Sequence, residues 1–187
     1  MNEESPLWLI VTGPPAAGKT TLARHIAPDL GLPLFEKDVF KDNLYADLGF
    51  GDKDWSRRIG ISAINLLLLT ADRMLQAGAS LITESNFYRQ FSSQQVREIA
   101  DGTKAKVIQV HCSASPDVLI ARNAARLDQN QQRIGHHVMP NEELLKGLRN
   151  GTWEPLDIPS EIIRVDTSSG FDYADVAGHI RRLYADD

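Results

Sequence analysis

Residues 11–22, Val-Thr-Gly-Pro-Pro-Ala-Ala-Gly-Lys-Thr-Thr-Leu, constrain this chain more than any other stretch. Gly13 and Gly18 bracket four residues, and Lys19 and Thr20 follow at once, which fits G-x-x-x-x-G-K-[ST]. That pattern demands a particular place in a fold. Successive backbone N–H groups must point inward around an anion, so the turn needs residues free of bulky side chains. A helix must start at Lys19 to add its N-terminal partial positive charge. An apolar strand must lead in. Leu7–Thr12, LWLIVT, reads as that strand, and Lys19–Leu30 reads as the helix, closed by Gly31. Gly13, Pro14, Pro15, Ala16, Ala17, Gly18, Lys19, Thr20 and Thr21 then line a phosphate site. Lys19 reaches the β and γ oxygens, and the Thr20 hydroxyl can ligate Mg²⁺. The two prolines cost no needed donor on the outer side of the loop, and they stiffen it.

The rest of the chain alternates in the same way. Strands are expected at 32–36, 80–84, 106–112 and 161–167, and helices at 38–48, 55–77, 90–100 and 141–148. A further helix opens with Ser115 as N-cap and Pro116 in its first turn, and the tail after the last strand is helical. Five short apolar strands separated by helices imply an α/β fold, a parallel sheet covered on both faces. Ligands then bind at the carboxyl ends of the strands. With 187 residues and no linker or repeat, positions 1–187 read as one domain.

The single cysteine, Cys112, excludes an intrachain disulfide and a cysteine-based zinc site. A formal net charge of −5 and the lack of a basic stripe argue against a broad nucleic-acid surface. The longest apolar run, near AINLLLLTA, is too short to span a bilayer. The first residues, MNEESPLW, lack a basic region followed by an apolar run, so no secretory signal is expected, and a reducing cytoplasm fits.

With these motifs in order, nearly the whole chain resembles the small P-loop kinases around the nucleoside monophosphate kinases, chloramphenicol phosphotransferase and the 5′-hydroxyl kinase domain of polynucleotide kinase. It looks closest to the branch of AAA-family ATP-binding proteins and predicted kinases. The resemblance implies a P-loop NTPase fold, a five-stranded parallel sheet of order 2-3-1-4-5 with helices on both faces, a lid, and phosphoryl transfer from ATP with Mg²⁺. It implies a lid over about 122–140 and an acceptor-side helical region over about 38–78.

The same resemblance assigns roles. In EKDVFKDNL, Asp38 matches the carboxylate that takes the proton of an attacking hydroxyl, and Lys41 matches a basic residue that relatives more often fill with Arg. Asp38 equally reads as the cap of the helix that follows. In LITESNFYR, Glu84 stands where an acidic residue supports Mg²⁺, and Asn86, Phe87 and Arg89 follow in a loop that could contact the acceptor. Phe87 and Tyr88 read either as a stacking platform or as core. Arg122 is expected on adenine or, alternatively, at the surface, and Arg126 and Arg133 are expected on the transferring phosphoryl group. The loop from Thr167 lines the adenine pocket. His136 and His137 are adjacent and point apart with no third ligand spaced to join them, so a lid hinge or an acceptor contact is the reading. His25 and His179 read as structural.

The function expected is an ATP-dependent phosphotransferase acting on a hydroxyl of a small molecule. Two alternatives stand beside it, a polynucleotide 5′-hydroxyl kinase and a nucleotide-binding switch or regulator without transfer chemistry. No N-K-x-D sequence supports a guanine-specific switch, and ESNFYR lacks the D-G-[FY]-P-R pattern of nucleoside monophosphate kinases.

Overall fold

The structure is a computed structural model that describes residues 5–130 and 139–185, with the side chains of 126–130 left out of the description. Its elements run β1 (Leu7–Thr12), α1 (Lys19–Leu30), β2 (Leu34–Glu36), α2 (Lys37–Leu48), α3 (Lys53–Gln76), β3 (Leu81–Glu84), α4 (Arg89–Thr103), β4 (Lys106–Ser113), α5 (Pro116–Asn130), α6 (Asn141–Arg149), β5 (Glu161–Asp166) and α7 (Tyr173–Ala185). The strands form one parallel sheet of order β2-β3-β1-β4-β5, as the resemblance implies.

Side chains alternate across the sheet, so β1 feeds two cores. Leu7, Leu9 and Val11 pack with Leu22 and Ile26 of α1 and Val176 and Ile180 of α7. Trp8 and Ile10 face the other way, onto Leu67, Ala71 and Leu75 of α3 and Val96 of α4. Both faces of β1 are covered, which is why LWLIVT is apolar without a break. The indole of Trp8 still needs an acceptor when buried, and it donates to Thr83 Oγ1 at 2.9 Å.

Element boundaries differ from the expectation where local chemistry intervenes. β2 starts at Leu34, not 32, because the Leu32 N–H is used to close α1 on the Ala27 carbonyl and Pro33 has no N–H to give. α3 starts two residues early because Asp52 caps it, accepting from the Trp55 N–H at 2.8 Å. The Trp55 ring then lies over Gly51, where an added Cβ would be 2.7 Å from it. α5 opens at Pro116, with Ser115 Oγ weakly accepting from the Val118 N–H at 3.4 Å. It runs to Asn130.

Candidate active site

The carboxyl ends of β1, β2 and β3 carry most of the expected residues. At Gly13, φ is +137° and an added Cβ would lie 2.1 Å from the Cys112 carbonyl oxygen, so only glycine fits. Gly18, at φ 76°, is the left-handed N-cap of α1. Ala16 is also left-handed, at φ 64°. An L side chain there costs about 1–2 kcal/mol, and a glycine would be the sequence expectation. Left-handed residues spaced through a tight loop turn its N–H groups to one side, which makes an anion nest. Pro15 is half-buried and Pro14 is buried. Its carbonyl faces the loop's own residues, accepting from Lys19 Nζ at 2.9 Å and from the Ala17 N–H at 3.3 Å.

Thr20 and Glu84 lie 64 positions apart in sequence and meet in space. The Thr20 hydroxyl donates to Glu84 Oε2 at 3.1 Å. A hydroxyl and a carboxylate side by side at the rim of a phosphate nest are hard oxygen donors, and this set fits Mg²⁺. Glu84 is only 4% exposed. Burial pushes its carboxyl pKa up, the Lys19 charge and the Thr20 hydrogen bond pull it down, and the net direction is up. Glu36 is the register partner of Glu84, and Arg24 holds it bidentately at 2.8 Å through each nitrogen. A second carboxylate therefore stands beside Glu84 with its charge matched. Glu84→Gln is expected to raise the Mg²⁺ concentration needed for nucleotide binding by about 10–100-fold. The same change removes a buried charge, so the ligand-free protein should melt no lower than wild type. A magnesium titration and a melt check the two halves.

Asp38 sits in the first turn of α2, but it is not the cap. That position is Glu36, and no side chain caps the helix. Asp38 pairs instead with Lys37 at 3.1 Å, its side chain 65% exposed. The surrounding protein pushes its pKa up, while the charges of Lys37, Lys41 and Lys19 and the Lys37 hydrogen bond outweigh that and leave it low. Lys19 thus acts on Asp38 and Glu84 alike. Lys41 is half-buried, its ammonium 5.5 Å from the Tyr45 ring centroid. Desolvation and Lys37 lower its pKa, against the pull of Asp38 and Asp42.

On the opposite side of the loop, Thr167 is 5% exposed and sits at a junction. Arg122 of α5 forks onto it, with one nitrogen 3.0 Å from Oγ1 and the other 2.7 Å from the carbonyl. The Thr167 hydroxyl lies 3.2 Å from the Ala17 carbonyl of the phosphate loop and 3.1 Å from the Ser113 carbonyl of β4. With one proton it serves one of them at a time. Thr167→Val is expected to weaken nucleotide binding about five- to tenfold, the value of roughly one hydrogen bond. Thr167→Ser should restore it within about twofold on the same scale. Equilibrium titration with a fluorescent ADP checks this.

The loop after β3 does less than expected. Phe87 is 1% exposed and packs in the α3–α4 core with Leu67 and Val96, so it is not a stacking surface for an acceptor. Tyr88 stays partly exposed. Arg89 starts α4, its N–H on the Thr152 carbonyl and its guanidinium 3.8 Å from Asp157. Asn86 is half-buried. His25 stacks on Tyr173, centroids 4.1 Å apart, a structural contact as expected. Arg126 lies on α5 with its side chain outside the described residues, and Arg133, His136 and His137 lie outside them altogether. Among the described residues, no group of three His, Cys, Asp or Glu side chains could hold a metal. No helix there is long and apolar enough to cross a membrane.

Lys37 and Arg24 joined the site unannounced, since exposed-looking basic residues on helices carry no motif. Gln109 and His111 carried a weak signal, as polar residues two apart in the apolar strand KVIQVHC. Both face the 150–160 segment. Gln109 exchanges hydrogen bonds with the Leu156 backbone, and His111 Nε2 meets the Trp153 carbonyl at 2.9 Å.

Comparison with known proteins agrees with the fold. The family profile described as AAA domain matches residues 8–146. The chain is similar to a solved candidate kinase from Chloroflexus aurantiacus, with 36% identity, 95% of this chain and 98% of that one covered, and a TM-score of 0.87. A gluconokinase from Sinorhizobium meliloti shares the fold at 20% identity, coverage of 98% and 96%, and a TM-score of 0.59. The Mycobacterium tuberculosis APS kinase CysC, solved with AMPPNP and APS, does so at 16% identity, coverage of 96% and 97%, and a TM-score of 0.59. No curated protein matches the sequence significantly.

Proposed function

The chain belongs to the AAA domain family, in its group of small P-loop kinases, and we propose that it transfers the γ-phosphoryl group of ATP to a hydroxyl of a small molecule. The observation that carries the reading is the meeting of Thr20 with the buried Glu84 carboxylate, at 3.1 Å, beside the phosphate loop. Lys19 from the loop bears on Asp38 from α2 and on Glu84 from β3, and Thr20 bridges to Glu84. A bare phosphate-binding loop needs neither carboxylate in that place.

Bound Mg-ATP would supply the phosphoryl group and a divalent charge on its oxygens. The chain's residues do the rest. The nest formed by residues 13–18 orients the phosphates through its N–H groups. Lys19 exchanges the Pro14 carbonyl for phosphate oxygens and gathers charge as it moves toward the leaving group. Thr20 and Glu84 would hold Mg²⁺. Asp38, kept ionised by its lysines, orients the hydroxyl in line and takes its proton late in transfer. Lys41 and Asn86 stand on the acceptor side. In this reading the segment 122–140 closes over the site, carrying Arg122 to adenine and Arg126 and Arg133 to the phosphoryl group. Closure excludes water, which would otherwise compete for the phosphoryl group.

The test is ADP release from Mg-ATP across a panel of sugars, sugar acids, nucleosides, antibiotics and single-stranded oligonucleotides. Stimulation by a small hydroxylated molecule supports the reading, and stimulation by oligonucleotides alone replaces it with a polynucleotide kinase. Tight ATP binding without stimulation by any member would favour a nucleotide-dependent regulator.

A further inference from the structure

Buried polar side chains in this fold are matched with some care. Trp8 donates to Thr83, and Tyr45 donates to Ser56 at 2.7 Å. Gln109 uses its amide nitrogen on the Leu156 carbonyl and Ser160 Oγ, and its oxygen on the Leu156 N–H. Against that background, the buried side-chain atoms without a partner among the described residues are Thr12 Oγ1, His111 Nδ1 and Trp153 Nε1. Their residues are linked, two through strand register and the third through its backbone. Thr12 and His111 are register partners on β1 and β4, so their side chains leave the same face of adjacent strands, about 4.8 Å apart. His111 reaches the backbone of Trp153. The Trp153 ring is seated against α6 where Gly147 leaves room, since a Cβ there would be 2.3 Å from it. Exposures are 0%, 4% and 3% for Thr12, His111 and Trp153.

Hydrogen-bond chemistry narrows what these atoms can accept. The Trp153 carbonyl only accepts, so His111 Nε2 carries the proton. Burial disfavours a second proton on the ring, so Nδ1 is a bare lone pair. The indole N–H only donates, and the threonine hydroxyl does both. The complement is a group that gives one hydrogen bond and takes one. A carboxylate or phosphate has no proton for Nδ1, and an ammonium has no lone pair for the indole.

We propose that Thr12, His111 and Trp153 form a binding site for one uncharged O–H group at the carboxyl ends of β1 and β4. Thr12 immediately precedes the phosphate loop, and the Trp153 ring stands 6.2 Å from that of Tyr88, in the loop after β3. Resting on the phosphotransferase reading, a non-reacting hydroxyl of the acceptor is one source of this group. An ordered water is the other.

The experiment follows the side-chain resonances of the ¹⁵N-labelled full chain, saturated with Mg²⁺ and a non-hydrolysable ATP analogue. Glycerol, D-glucose and D-gluconate are the probes. The three indole N–H signals are told apart with Trp153→Phe. The expected result is a hydrogen-bonded Trp153 indole proton and an Nδ1 that accepts. If a probe moves both, the acceptor supplies the hydroxyl. If neither moves and the indole proton cross-relaxes with a long-lived water, water supplies it. An indole proton that does neither overturns the site. Thr12→Val keeps the shape and removes the hydroxyl, so it should cut probe affinity about tenfold or abolish the water cross-peak. An unchanged response in Thr12→Val overturns the three-residue site. None of these signals needs turnover. A silent kinase assay with these signals intact would therefore sink the phosphotransferase reading alone.

Discussion

Lys19→Met is expected to lower acceptor-stimulated ADP release by about a thousandfold, the loss typical of removing one preorganised charge from a transition state. It should also weaken ATP binding by at least about tenfold, because a charge-assisted hydrogen bond to phosphate is worth roughly 1.5–3 kcal/mol. The structure explains why the fold should survive. Lys19 is 8% exposed, and its ammonium donates to the Pro14 carbonyl at 2.9 Å. Methionine keeps the length and apolar stem but takes the Lys19 charge away from buried Glu84, which can respond by taking up a proton, so the melting temperature of the ligand-free protein should fall modestly while the fold survives. A melt run beside the ADP assay separates lost chemistry from lost folding. Retained turnover in a folded Lys19→Met protein would remove the phosphate loop from the mechanism.

Asp38→Asn is expected to lower turnover by about 10²–10⁴-fold, the contribution of a positioned general base, while ATP affinity stays within about threefold. The two variants therefore separate, since one loses nucleotide and chemistry together and the other loses chemistry alone. The substitution is close to isosteric, and Asp38 neither caps α2 nor lies in the core. Its structural cost is limited to the favourable placement of an acid in a first helical turn, about 0.3–1 kcal/mol. Rapid-quench measurement of a single turnover with saturating acceptor checks it directly. Unchanged transfer in that measurement would assign the proton to another group, or to none.

Much of the site was legible because its chemistry is written in neighbouring residues. Gly13, Gly18, Lys19 and Thr20 lie within eight positions, and strand, turn and helix follow one another without help from the rest of the chain. Glu84 was legible by its place at the end of a strand, and Asp38 by its place after β2. Phe87 was not, because an aromatic after a strand reads the same whether it faces a ligand or α4. Its 1% exposure comes from how α3 and α4 close on the sheet. The role of the Pro14 carbonyl was not legible either. The sequence says which residue lacks an N–H, not which way its carbonyl turns.

The division follows sequence separation. Sequence alone determined the alternation of strands and helices, the phosphate loop and the acidic residue types at strand ends. Each depends on periodicity, on backbone freedom at one residue, or on contacts a few positions apart. Tertiary structure decided that Thr20 meets Glu84 across 64 positions, that Thr167 rests on Ala17 across 150, and that His111 reaches Trp153 across 42. It also decided that Ala16 keeps a left-handed turn that its side chain resists. Such pairings are set by which strand lies beside which and by the cores that close over them, and packing of that kind is a property of the whole chain.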